Sequence, residues 1–144
     1  AVERAIRRRY ADGAVVGGTS AGAAVMSATM ITGDERRPGG ARPLPADSRD
    51  AWVTIDRGNV ATAPGLGLLP SAIVDQHFAR RRRHNRLLSL VLERAERFGI
   101  GIDESTALVV EPSGRWRVVG ESNVVIYDGR GAWSTREGPL GGIG

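Results

Sequence analysis

The sequence predicts an α/β fold with a mostly parallel sheet and an antiparallel edge near its C-terminal end. Three observations lead there. An apolar run, Ala14 to Gly17, passes through glycines into a stretch of small residues at helical spacing. A second apolar run, Ala72 to Asp75, is followed by a strongly periodic helical segment. Two β-branched runs, "RWRVVG" and "NVVIYDG", come late and lie close together. Strand–helix alternation first and hairpin-like strands last is the pattern of a parallel sheet with an antiparallel margin.

Taken in order, residues 2–11 read as a charged helix, with Val2, Ile6 and Tyr10 on one side and Asp12-Gly13 as its stop. Ala14–Gly17 reads as a short strand. Ala21 to about Met30 reads as a helix whose small side chains let it lie close on a sheet. Residues 33–50, "GDERRPGGARPLPADSRD", have no periodicity and are rich in Pro, Gly and charge; residues 34–50 read as a flexible loop, an insertion or an active-site lid. Ala72–Asp75 is a candidate buried strand. Leu87, Leu88, Val91, Leu92, Ala95 and Phe98 form a stripe at 3.6-residue spacing, with Asn85 as candidate N-cap and Gly99 as candidate C′ residue. "GIGIDESTALVV" reads as strand, polar turn, strand. The last two runs are expected to pair across Gly120-Glu121-Ser122, and "REGPLGGIG" is expected to be loose.

The 144 residues suit one domain. No run of about 18 apolar residues occurs, so no membrane span is expected. The opening charged helix does not have the form of a signal peptide. Cysteine is absent, which excludes disulfides and a thiol nucleophile and fits a reducing, cytoplasmic setting. The net charge of +4 comes from 20 basic residues, all arginine. With three Trp, two Tyr and two Phe, the chain is poor in stacking platforms, and nucleic-acid binding is not expected. No metal-ligand spacing is visible, and neither metal nor cofactor is expected. The chain opens without Met and inside a helix, which suggests a piece of a longer or split protein.

Gly18-Thr19-Ser20-Ala21-Gly22 fits G-x-S-x-G between a strand and a helix. In that context the serine sits on a sharp turn that pushes its hydroxyl out of the sheet, with small residues giving the turn room. The Ala21 N–H, at the start of the helix, can face an oxyanion. The plain alternative is a tight glycine turn. A phosphate loop is disfavoured because its lysine is missing. A serine nucleophile needs a base and an orienter for that base. His77 ends a candidate buried strand, where α/β sheets place their crevice, whereas His84 falls in a basic helix start and is expected to be solvated. Asp103 and Glu104 follow the next strand and alternate in face, so one of them is the candidate acid. The chain order Ser, His, acid differs from the order of α/β-hydrolases.

"GGTSAGAAVMS", "DQHF" with the spaced arginines and "RLL" after it, and "GIGIDESTALVV" occur in an order that resembles the cyanophycinases, in the serine peptidase family that also holds dipeptidase E. The resemblance spans residues 14 to about 128. It implies a flavodoxin-like sandwich related to class I glutamine amidotransferases, acting on bonds at aspartyl residues. Cyanophycinases cut cyanophycin, a polyaspartate with arginine on its β-carboxylates, and release β-aspartyl-arginine. On this resemblance Ser20 is the nucleophile, His77 the base, Glu104 rather than Asp103 the acid, and Asp75, Gln76, Arg81, Arg83 and Arg86 line the substrate pocket. The glutamate favours the cyanophycinase branch, since dipeptidase E carries aspartate there.

Independent reasoning adds weight to the arginines. "ARRRRHNR" lies at or before a helix's first turn, where cations oppose the helix dipole, at about 0.3–1 kcal/mol each. An anionic ligand held bidentately would account for them, and a solvated basic face is the plain alternative.

The family's N-terminal half has no counterpart in these residues. A second chain carrying it, or further residues of the same chain, is therefore expected, as is a homodimer or higher assembly of the whole enzyme. The expected substrate is a peptide or the arginine-bearing polyaspartate. Alternatives are an aspartyl dipeptidase, a peptidase of other isoaspartyl or modified peptides, and a non-catalytic subunit that binds acidic partners through its arginines.

Overall fold

The computed structural model describes residues 2–36, 52–94 and 97–132. Its elements are α1 (Val2–Ala11), α2 (Ala21–Ala24), β1 (Thr29–Glu35), β2 (Val60–Pro64), β3 (Ala72–Gln76), α3 (His84–Glu93), β4 (Phe98–Ile102), β5 (Thr106–Val110), β6 (Trp116–Gly120) and β7 (Val124–Asp128).

At the centre is a β3–α3–β4 unit. Strand β3 runs parallel to β4, pairing Ala72 with Phe98 through Gln76 with Ile102. β7 joins the other side of β4 antiparallel, giving the order β3-β4-β7. The remaining described strands form the antiparallel pairs β1–β2 and β5–β6. The fold is mixed α/β as expected, but the sheet is not mostly parallel among the described residues. Of the strand pairs there, only β3–β4 is parallel, beside an isolated parallel bridge between Ser27 and Leu69.

Alternation along β3 and β4 builds two apolar layers. Ile73 points into a cluster with Phe78, Leu87, Leu90, Val91, Trp52, Ile31 and Val60, covered by α3. Ala72, Val74 and Ile100 point into the opposite cluster, which Leu108, Trp116 and Val124 pack against. Fully burying a leucine such as Leu87 contributes about 1.5–3 kcal/mol. The "FGIGI" of β4 has a steric logic. Its two glycines share the α3 face. A Cβ on Gly99 would fall 2.5 Å from Val91 Cγ2, and one on Gly101 would fall 2.2 Å from the Phe78 ring. Bare backbone lets the helix and the ring lie directly on the strand.

Several expectations are corrected. Gly99 is a strand residue rather than a helix cap, because α3 stops at Glu93 and the chain returns as β4 at Phe98. Asn85 lies inside α3 and Arg83 holds the N-cap position; the Asn85 amide donates to the carbonyls of Trp52 and Val53. The small-residue helix ends at Ala24, and Thr29 already begins β1. There Ser27 is drawn into a bridge with Leu69, and its Oγ accepts from the Val74 N–H at 2.8 Å. Residues 33–35 belong to β1, and 37–50 of the expected loop lie outside the described residues. β6 and β7 do not pair with each other, because β6 turns back on β5 while β7 joins β4. Residues 14–17 form no strand, as none of the described strands runs alongside them, and Val15 is 99% exposed. Helix α1 and the buried strand at 72–75 are as expected. The tail beyond residue 132 lies outside the described residues.

Candidate active site

Ser20 stands immediately before α2 with φ 53° and ψ −121°, outside the ordinary regions for a side-chain-bearing residue. Such a conformation costs about 1–3 kcal/mol and persists only where its surroundings hold it. The holding contacts are local. Gly22 N–H donates to Thr19 O at 2.8 Å, and Ala23 N–H donates to Ser20 O at 2.9 Å. The tightness of the turn explains Gly18, where a Cβ would sit 2.1 Å from Gly22 O. Gly22 faces open space, so crowding does not explain it. Ser20 and Ala21 are both exposed.

His77 follows the last residue of β3 and also adopts a positive φ, 50°. This turns its ring toward both partners. Ser20 Oγ lies 3.1 Å from His77 Nε2, and His77 Nδ1 lies 2.9 Å from Glu104 Oε1. Because a carboxylate only accepts, Nδ1 carries the proton and Nε2 is left to accept from the serine hydroxyl. Gln76 Oε1 is 3.4 Å from Ser20 Oγ. One hydroxyl proton cannot serve both acceptors, and the nearer Nε2 takes it.

Glu104 sits in the turn between β4 and β5. The hydrogen bond from His77 is the main influence holding its carboxyl below the ordinary value of 4.5. The turn is pinned by Thr106 Oγ1 donating to Glu104 O at 3.0 Å, and by Ser122 N–H donating to Thr106 Oγ1 at 2.9 Å. Asp103 lies beside Glu104 and makes its own contacts away from the imidazole. It accepts from Arg80 N–H at 3.3 Å and from the Ser122 hydroxyl at 3.2 Å.

The remaining expected pocket residues separate. Arg81 is exposed. Asp75 and Arg86 are each 0% exposed and paired with one another, with Arg86 Nε donating to Asp75 Oδ2 at 2.6 Å and Nη2 donating to Oδ1. Arg86 also lies over the Trp52 ring, 4.9 Å from its centroid. Arg83 is buried and donates from Nη1 to Gln76 O at 2.7 Å. The anion that the basic helix start calls for is, at Arg86, the chain's own Asp75. His84 is half-buried rather than solvated, hydrogen-bonded through Nδ1 to the Tyr127 hydroxyl at 2.6 Å and with its ring tilted 57° against Phe78, centroids 4.6 Å apart.

Two neighbours were not anticipated. Arg80 Nε comes within 3.9 Å of Glu104 Oε1, but inside a run of four arginines no spacing rule singles it out. Trp52 sits far from the motifs in sequence and carries no local signal. Among the described residues no group of three or more metal-ligating side chains is gathered, and no helix is long and apolar enough to cross a membrane.

Ser20, His77 and Glu104 all fall within the stretch that a family model matches. The model of peptidase family S51 matches residues 1–115. The chain belongs to peptidase family S51. Within that family it is 42% identical over 137 residues to the cyanophycinase of Trichormus variabilis, an alignment covering 94% of this chain and 41% of that protein. It is 42% identical over 136 residues to the cyanophycinase of Geminocystis herdmanii, covering 94% and 44%. It is 40% identical over 116 residues to that of Synechococcus elongatus, covering 81% and 31%. The chain therefore spans less than half the length of these curated relatives.

Proposed function

We propose that this chain carries the nucleophile, base and acid of an S51 serine peptidase of cyanophycinase type. The observation that carries the reading is the Ser20–His77–Glu104 relay, with contacts of 3.1 and 2.9 Å, its serine on a strained turn into α2. In this reading Ser20 Oγ attacks the scissile carbonyl while His77 Nε2 takes its proton. His77 then returns that proton to the leaving amine as the C–N bond breaks, which leaves an acyl ester on Ser20. Water attacks the ester with His77 again as base, releasing the carboxylic acid and restoring the serine. Glu104 keeps the proton on Nδ1 and stabilises the imidazolium. The Ala21 N–H supplies one oxyanion donor, of a kind whose removal costs about 2.7–4 kcal/mol.

A second donor and the rest of the pocket come from a segment outside these residues, in the same polypeptide or a partner chain, and the whole enzyme is a cytoplasmic homodimer or higher assembly. The substrate is an aspartyl peptide, with the arginine-bearing polyaspartate favoured by the names of the relatives. The test incubates the full-length protein, beside Ser20→Ala, with cyanophycin, β-aspartyl-arginine and α-aspartyl dipeptides. Release of β-aspartyl-arginine from the polymer, abolished by the substitution, is the expected result. Turnover of free dipeptides alone would make the enzyme an aspartyl dipeptidase. Equal behaviour of variant and parent would remove Ser20 as nucleophile and leave a binding role for the arginines.

A further inference from the structure

The backbone of Gln76, the residue before His77, is held at both its N–H and its C=O by buried charged side chains. The Gln76 N–H donates to Asp75 Oδ1 at 2.7 Å. The Gln76 carbonyl accepts from Arg83 Nη1 at 2.7 Å. Asp75 is in turn fixed by the fork of Arg86, whose guanidinium lies over Trp52. Asp75, Arg83 and Arg86 are 0%, 3% and 0% exposed. A substrate reaching this pair would have to displace a charge-assisted contact already made inside the protein.

The position of the Gln76 carbonyl bears directly on the His77 φ of 50°, a conformation that a histidine leaves unless its neighbours oppose it. Arg83 belongs to the same local turn. Its N–H donates to Phe78 O at 3.0 Å, while Arg81 N–H donates to His77 O at 3.0 Å. The three charged side chains therefore grip the backbone that aims the imidazole.

We infer that Asp75, Arg86 and Arg83 are positioning residues, which lock the Gln76 backbone so that the His77 ring spans Ser20 and Glu104. This rests on the proposed role of His77 as base. It also accounts for two of the cations at the start of α3, because the buried carboxylate of Asp75 pairs with Arg86 and lies 3.9 Å from Arg83, which also donates to a backbone carbonyl.

The test uses Arg83→Met, Arg83→Lys and the double variant Asp75→Leu/Arg86→Met in the full-length protein, each checked by thermal unfolding. The double variant replaces a buried ion pair with apolar volume, an exchange that folded proteins often tolerate. Two readouts are taken: the low-field proton resonance of His77 Nδ1–H, and kcat and KM separately. Arg83→Met is expected to weaken or lose the resonance and to lower kcat about a hundred-fold, the scale of an ångström's misplacement, with KM changed less than about three-fold. Arg83→Lys, which keeps a donor for the Gln76 carbonyl, is expected to recover most of both. The double variant is expected to act like Arg83→Met and carries the test if that variant does not fold. A KM raised about ten-fold or more, with kcat and the resonance kept, would make these residues substrate contacts and overturn the inference. If the parent protein hydrolyses no aspartyl substrate, the proposed function fails, and the His77 resonance alone still decides the positioning role.

Discussion

Gly101→Ala probes the join between the core and the candidate base. A methyl carbon placed on Gly101 falls 2.2 Å from both Cδ1 and Cγ of Phe78 and 2.6 Å from Cδ2. Carbon atoms in ordinary contact lie about 3.5–4.0 Å apart, so the ring must retreat by more than an ångström. It has little room. Phe78 is 1% exposed, with its ring centroid 4.6 Å from His84 and 6.2 Å from Tyr127. Overpacking of this kind costs about 1–3 kcal/mol. Urea unfolding of the full-length protein should show that loss as a lower midpoint at unchanged slope. Because Phe78 directly follows His77, kcat should fall with it. Adding Phe78→Leu removes the ring that the methyl strikes. The two substitutions should then couple favourably by at least about 0.5 kcal/mol, as residues in contact do. A loss below about 0.5 kcal/mol for Gly101→Ala, the range of neutral surface changes, would refute the steric reasoning, and additive effects would refute the assignment to Phe78.

Ser27→Ala removes the acceptor from the buried Val74 N–H on β3 and should cost about 1–3 kcal/mol, with faster amide exchange at Val74; exchange at the parental rate would show that the bond is not needed. Glu104→Gln preserves shape but no longer dictates a proton on Nδ1, so kcat should drop by up to about 10⁴-fold with KM little changed, and a drop under ten-fold would exclude Glu104 as the orienter. The Glu104 carboxyl should titrate below 4.5 by carboxyl-carbon NMR, since the His77 hydrogen bond favours its charged form. A depressed carboxyl contributes its stability fully above the unfolded value and loses it as pH falls through the folded one, so a titration at or above 4.5 would contradict the contact.

Legibility followed the range of the interactions. α1, β3, β4 and the periodic body of α3 were readable because each depends on a local pattern of apolar residues. The β1–β2 pair was not foreseen, because Thr29–Glu35 and Val60–Pro64 find each other across an intervening segment whose length and composition say nothing about pairing. Gly99 was misread as a helix stop because glycine serves two purposes. It tolerates a left-handed turn and it also leaves space, and only the placement of Val91 and Leu87 shows that space is the need here. The partnership of β7 with β4 rather than β6 was equally out of reach, since a close turn between two strands makes pairing possible without deciding it.

By itself the sequence determined which residues have the chemistry: a serine on a glycine turn, a histidine after an apolar strand, two acids after the next. Those features are local and leave a pattern. Tertiary structure decided which acid faces the imidazole and which side chains point inward. Glu104 meets His77 while Asp103 turns to Arg80 and Ser122. Asp75 and Arg86, read in sequence as facing a ligand, close on each other. The physical reason is that charge carries no direction in a sequence. A buried guanidinium must find an anion, and only the packing of α3 on β3 shows that one is already waiting inside the protein.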